Sequence, residues 1–120
     1  LHGAVRAMDG RVAYVIMGQK EIAEKDITYE DIHCISTILR DCDDIELGFT
    51  MYEEEENRWR CSFRSDGKWI NVNELLQTFG GGGHAAAAGV RKRTNDVEKF
   101  RQEILEWRTY LRSRIKISDR

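Results

Sequence analysis

Apolar and polar positions follow two different rhythms along this chain, and the rhythm changes at glycines and capping residues. Arg11–Met17 (RVAYVIM) is rich in β-branched and aromatic side chains and closes at Gly18, which predicts a strand. Residues 19–26 are polar and weakly patterned. Thr28 followed by Asp31 marks a helix start of the capping-box type, although Glu or Gln is the usual closing residue. Ile32, Ile35, Ile38 and Leu39 then recur at helical spacing and predict a helix over 29–41. The rhythm next switches to period two. Ile45, Leu47, Phe49 and Met51 alternate with Glu46, Gly48, Thr50 and Tyr52, and Trp59, Cys61 and Phe63 alternate with Arg58, Arg60, Ser62 and Arg64. Two strands with one buried face each, 45–53 and 58–65, follow from this, joined as an antiparallel hairpin with an acidic tip.

Ser65-Asp66-Gly67 predicts a turn. Asn71 and Glu74 form a capping pair for a short helix from Val72 to Phe79, ended by four glycines, Gly80 to Gly83. Ala85 to Ala88 fit either a helical turn or a strand entry, with a further strand near 88–93. Asn95 then caps a long amphipathic helix bearing Val97, Phe100, Ile104, Trp107 and Leu111 on one stripe, and the polar tail past Arg114 frays. The fold class is α+β: a mixed or largely antiparallel sheet with helices packed on it, in a single domain.

Composition narrows the function classes. The 120 residues carry a formal charge of −2, which removes the simple case for a nucleic-acid binder held by bulk positive charge but leaves a local phosphate site open. Charge is uneven: 41–56 holds eight acidic residues and no basic one, while 91–120 holds ten basic against five acidic. Three cysteines and three unclustered histidines make neither a disulfide framework nor a protein-borne zinc site, and the odd thiol count suits a reducing cytoplasm. No apolar run approaches the ~18–20 residues of a membrane span. His33, Cys34 and Cys61 read as packing residues. Trp59, Trp69 and Trp107 could stack bases, Trp69 most readily because it follows Lys68 in a loop. Arg58 and Arg60 share a strand face with Arg64, as a solvated sheet face or as an extension of a phosphate track.

The chemistry concentrates in Gly80–Gly89. Consecutive glycines let successive N–H groups turn toward one point, a nest that binds anions. His84 follows directly and can donate to phosphate oxygens or stack on a base. Arg64 and Ser65 end the preceding strand, and an arginine fork beside a glycine nest makes a bidentate phosphate clamp.

These residues carry a resemblance. Ser62-Phe63-Arg64-Ser65, a short helix, and then the complete GGGHxxAAG pattern of Gly81–Gly89 resemble the DHH-associated domain of type 1, the C-terminal domain of DHH phosphoesterases. The resemblance covers most of the chain. It implies an entry segment (1–10) from an N-terminal DHH catalytic domain outside this sequence, a substrate-binding domain over 11–114, and a tail at 115–120. It implies that the DHH domain binds two metal ions, typically Mn2+, while the associated domain closes over the cleft. Arg64 then binds a substrate phosphate, the backbone of Gly81, Gly82 and Gly83 lines the cleft, His84 contacts phosphate or base, and Ser65 makes a phosphate hydrogen bond or only caps the turn. No Asp-His-His triplet or metal-ligand set is present, so these 120 residues alone are expected to bind no metal cofactor and to lack hydrolase activity. The partner is a nucleotide or short single-stranded oligonucleotide, with a homodimer of the parent possible and no membrane. The nano-RNase and 3′-phosphoadenosine-5′-phosphate (pAp) phosphatase branch fits the motif best. The alternatives are the equivalent domain of a single-strand-specific DNA exonuclease, a non-catalytic RNA- or tRNA-binding module, and a subunit-contact domain.

Overall fold

A computed structural model of the chain describes residues 5–8, 10–41 and 44–118. Six strands form one mixed sheet: β1 (Val5–Ala7), β2 (Val12–Met17), β3 (Leu47–Glu55), β4 (Arg58–Ser65), β5 (Gly82–His84) and β6 (Ala87–Arg93). Their spatial order is β1-β2-β3-β4-β6-β5. Neighbours are antiparallel except β2 and β3, which run parallel. A parallel pair needs a crossover. Here it contains two helices, α1 (Gln19–Glu24) and α2 (Tyr29–Arg40); α3 (Val72–Gln77) and α4 (Val97–Ser118) follow β4 and β6.

Period-two alternation divides each strand between two faces. Leu47, Phe49 and Met51 of β3 and Trp59, Cys61 and Phe63 of β4 point to one side, where Val72, Leu75 and Leu76 of α3 and Phe100 and Ile104 of α4 complete the larger core. Rings of Tyr14, Phe49 and Phe63 stack through its centre at 5.1 and 4.9 Å. On the other side Ala13, Val15, Met17 and Tyr52 pack with Ile32 and Leu39 of α2, flanked by Ile22 of α1. The half of that second face made by β2 and β3 is therefore roofed by α1 and α2. The half made by β4, β6 and β5 carries Arg58, Arg60, Ser62, Arg64, Gly89 and Arg91, with small Ala87, instead of large apolar residues.

Several elements depart from the sequence pattern. Val5–Ala7, placed in the entry segment, joins the sheet as a short edge strand; residues 1–4 and 9 lie outside those described. α1 forms where no pattern was visible. Thr28 and Asp31 do complete a reciprocal cap, with Asp31 N–H donating to Thr28 Oγ1 at 3.1 Å and Thr28 N–H to Asp31 Oδ2 at 2.9 Å. α4 is capped by Asp96, whose Oδ1 accepts from Lys99 N–H at 3.2 Å, rather than by Asn95. Past Arg114 the backbone continues as helix to Ser118, beyond the point where polarity alone suggested an end.

A single acidic residue ties α4 to the entry of β3. Glu46, 10% exposed, meets Arg108 at 2.5 Å, Arg112 at 3.1 Å and Arg11 at 3.4 Å. Arg108 is itself 9% exposed, so the pair is a buried one held in a small network.

Candidate functional site

The four glycines do three separate jobs. Gly80, at φ +83, ends α3: its N–H donates to Gln77 O at 3.2 Å and the next N–H, of Gly81, to Leu76 O at 2.9 Å. This is the paired bonding of a Schellman cap, which needs a left-handed residue. Gly81 lets β5 approach β6 closely, since a Cβ there would lie 2.5 Å from Gly89 O and 2.6 Å from Val90 Cβ. Gly83 is equally constrained, with Ala87 O 2.6 Å from its would-be Cβ. The anion nest expected from the glycine run is not formed. Gly80, Gly81 and Gly83 direct their N–H groups to internal acceptors, the last to Asn73 Oδ1 at 3.1 Å, and Gly82–His84 is an edge strand.

What the run creates is a floor. Register aligns Arg64, Ala87 and His84 across β4, β6 and β5, and aligns Ser62, Gly89 and Gly82 in the next row. Residues opposite one another share a face, and strands lie ~4.8 Å apart, so the Cα atoms of Arg64 and His84 are roughly 10 Å apart on one surface. Alanine and glycine between them leave a cleft of about 520 Å³, lined by Arg64, Ser62, Gly82, Gly83 and Gly89, with Arg60 and Arg91 further along. Ala85 and Ala86, which the sequence left undecided, form the turn between β5 and β6.

The predicted site residues separate under this geometry. Arg64 lies in the cleft beside Gly82 and Gly83. Its Nη1 donates to Phe63 O at 3.1 Å, and among the described residues no carboxylate pairs with it. His84 is exposed on the edge strand, in register with Ala87 and Arg64 but not among the residues lining the cleft, and Gly81 sits behind the floor, against β6. Ser65 is a correction. It is 1% exposed, and its Oγ lies 2.6 Å from Ile70 O and 3.3 Å from Ala85 O while accepting from Gly67 N–H at 3.0 Å. A hydroxyl this enclosed pins the turn to the β5–β6 connection and has no face left for phosphate. Of the two roles the resemblance offered for it, the cap is the one the structure supports.

His33 was missed. Read from the sequence as packing, it is exposed on α2 and forms a wall of the same cleft. Helical periodicity showed which flank of α2 is apolar, but not that this flank ends beside β4. Cys61, below the β4 floor, is buried, and burial pushes its thiol up to about 12. It is a core residue and not a nucleophile. Trp69 is half-exposed but lies under the Arg112 guanidinium, 4.3 Å from the ring centroid, away from the cleft.

The mixed six-stranded sheet, with a glycine-floored cleft beside Arg64 on its β4–β6–β5 half, is the architecture of a known domain family. The DHHA1 domain model matches residues 8–109, and the chain belongs to that family. It is 32% identical over 94 residues, 77% of its length, to a bifunctional oligoribonuclease and PAP phosphatase, NrnA, of Mycoplasma pneumoniae. Its fold is similar to that of an exopolyphosphatase-related protein from Bacteroides fragilis (TM-score 0.73, 22% identity, 90% of this chain and 32% of that one). It is also similar to the pGpG-specific phosphodiesterase PggH of Vibrio cholerae (TM-score 0.59, 13% identity, 88% of this chain and 35% of that one). The chain spans 28% of the length of NrnA. No helix among the described residues is long and apolar enough to cross a membrane.

Proposed function

We propose that this chain is the substrate-binding domain of a two-metal DHH phosphoesterase that acts on short oligonucleotides or on pAp. The observation that carries this reading is the row Arg64–Ala87–His84: a guanidinium without a carboxylate partner among the described residues and an imidazole, separated only by the methyl group of Ala87. A guanidinium engages a phosphate through two parallel N–H donors. The shallow floor lets the sugar-phosphate backbone approach the sheet, and His84, in the same row on the edge strand, meets a second oxygen or a base. The 32% identity to an oligoribonuclease and PAP phosphatase supports the substrate class.

Among the described residues no group of three or more His, Cys, Asp or Glu side chains could hold a metal ion. On this reading the Mn2+ pair belongs to an N-terminal DHH domain. What this chain contributes is capture and orientation of the anion.

Calorimetric titration of the chain with pAp and with 5′-phosphorylated diadenylate tests the reading. Both bind, and Arg64→Ala weakens them by about 1.5–3 kcal/mol, the worth of a charged hydrogen-bonded contact. Equal affinity of wild type and Arg64→Ala overturns it. With Mn2+ added, the chain alone hydrolyses diadenylate no faster than its Arg64→Ala variant.

A further inference from the structure

One wall of the cleft carries a polar ring that stands outside the row of Arg64. His33 is exposed on α2 and lines the cleft together with Arg64, Ser62 and Gly89. It also borders, with Ile32, Tyr52, Arg60 and Ser62, a small recess where α2 meets β3 and β4. That recess reaches Ser62 and Arg60 but not Arg64, which places the imidazole beside the row of Ser62. Helix geometry explains its position. Ile32 faces the sheet among the apolar residues of the second core, and the next residue lies ~100° further round the helix. Its side chain therefore leaves α2 at the flank, where β4 supplies the neighbours.

Ser62, Gly89 and Gly82 form one row across β4, β6 and β5. Two of the three have no side chain, so the row is a low shelf. Arg64 bounds it on one side, and Arg60 opposite Arg91 bounds it on the other. Same-face rows are ~6.8 Å apart, so these bounds are roughly 14 Å from each other. One aromatic base fits between them lying flat on exposed peptide groups, an approach that glycine permits and a side chain would block. A nucleotide whose phosphate meets Arg64 carries its base one sugar away, which is the reach of the adjoining row. A base lying flat there turns its edge to the wall that holds His33.

We infer that the row Ser62–Gly89–Gly82 is a base shelf and that His33 reads the edge of the base resting on it. His33 is then a specificity-determining residue: it separates nucleotides from phosphate esters that carry no base. The inference rests on the reading of Arg64 as the phosphate site, and its test separates the two. Imidazole nitrogens donate or accept, and every base edge offers groups for such a bond, so one ring nitrogen suffices.

Chemical-shift titration of the isotope-labelled whole chain compares adenosine 5′-monophosphate with ribose 5-phosphate, which lacks only the base. The nucleotide binds about 3- to 10-fold tighter, the worth of one hydrogen bond of this kind. His33→Ala removes most of that margin and leaves the affinity for ribose 5-phosphate unchanged. His33→Asn restores part of it, because the amide keeps a donor and an acceptor. His33→Phe, with a ring but no polar atom, behaves like His33→Ala. His33 is exposed, and unchanged thermal unfolding shows that each variant is folded. Arg64→Ala weakens both ligands by a common factor and preserves their ratio. Equal affinity of the two ligands, a margin undiminished in His33→Ala, or a margin recovered in His33→Phe overturns the base-reading role. Affinities indifferent to Arg64→Ala remove the phosphate clamp instead, and the ratio still decides His33.

Discussion

Gly81→Ala adds one methyl group at the most crowded point of the site. Its carbon would lie 2.5 Å from Gly89 O and 2.6 Å from Val90 Cβ. Neither neighbour can swing aside: one is backbone, the other the stem of a β-branched side chain in a strand. Ordinary contact begins near 3.5 Å, so β5 has to retreat from β6 by about 1 Å. Overpacking of this kind costs about 1–3 kcal/mol, offset by ~0.4–1 kcal/mol from the stiffer unfolded chain. The net loss is roughly 1–2 kcal/mol, or a fall in Tm of roughly 3–10 °C for a chain of this size. Gly18→Ala is the control, because its new carbon meets only Glu53 Oε1 at 3.5 Å. Urea unfolding followed by tryptophan fluorescence reads the difference at constant m. Native-state hydrogen exchange then locates it, since an edge strand can open alone. The amides of β5 lose protection while those of β2, β3 and β4 keep theirs. Equal stability of Gly81→Ala and Gly18→Ala refutes the close-approach argument.

Ser65→Ala leaves Ile70 O and Gly67 N–H without a buried partner and lowers stability by about 1–3 kcal/mol, while dinucleotide affinity in the folded variant stays within twofold; a selective loss of affinity restores Ser65 to the binding site. Glu46→Ala strands the buried Arg108 cation and costs about 3–5 kcal/mol, measured by denaturant titration. Mass-spectrometric mapping of iodoacetamide adducts at pH 8 finds exposed Cys34 alkylated and Cys61 protected until the chain unfolds. The Cys61 thiol, raised by burial from 9.0 to about 12, stays protonated longer in the folded state. Its contribution is complete below pH 9 and is lost as pH climbs toward 12, so alkaline unfolding is shallower in Cys61→Ala.

Sequence periodicity exposed the elements whose side chains carry the pattern. β3 and β4 alternate cleanly because only one face of each strand meets the larger core, and α2 shows its stripe because Ile32 and Leu39 meet the sheet. α1 was invisible because six polar-rich residues carry a single apolar anchor, Ile22. β5 was invisible for a different reason: a strand is recognised by its side chains, and two of its three residues have none. Its pairing is decided by β6, which supplies the apolar alternation of Ala88 and Val90. Arg64 was legible from its motif, whereas the enclosure of Ser65 depends on Ile70 and Ala85, carbonyls that only the folded turn brings together. His33 entered the site through the parallel crossover, a tertiary event with no local signature.

The brevity of β5 has a last consequence. It covers β6 only as far as Gly89, so the outer edge of β6 from Val90 to Arg93 has no neighbour among the described residues. A bare edge invites foreign strands to add and propagate into aggregates, and lysine or arginine on that edge is a common safeguard. Arg91, Lys92 and Arg93 occupy it here. Neutralising them all would remove mutual repulsion between copies, and the protein would lose solubility.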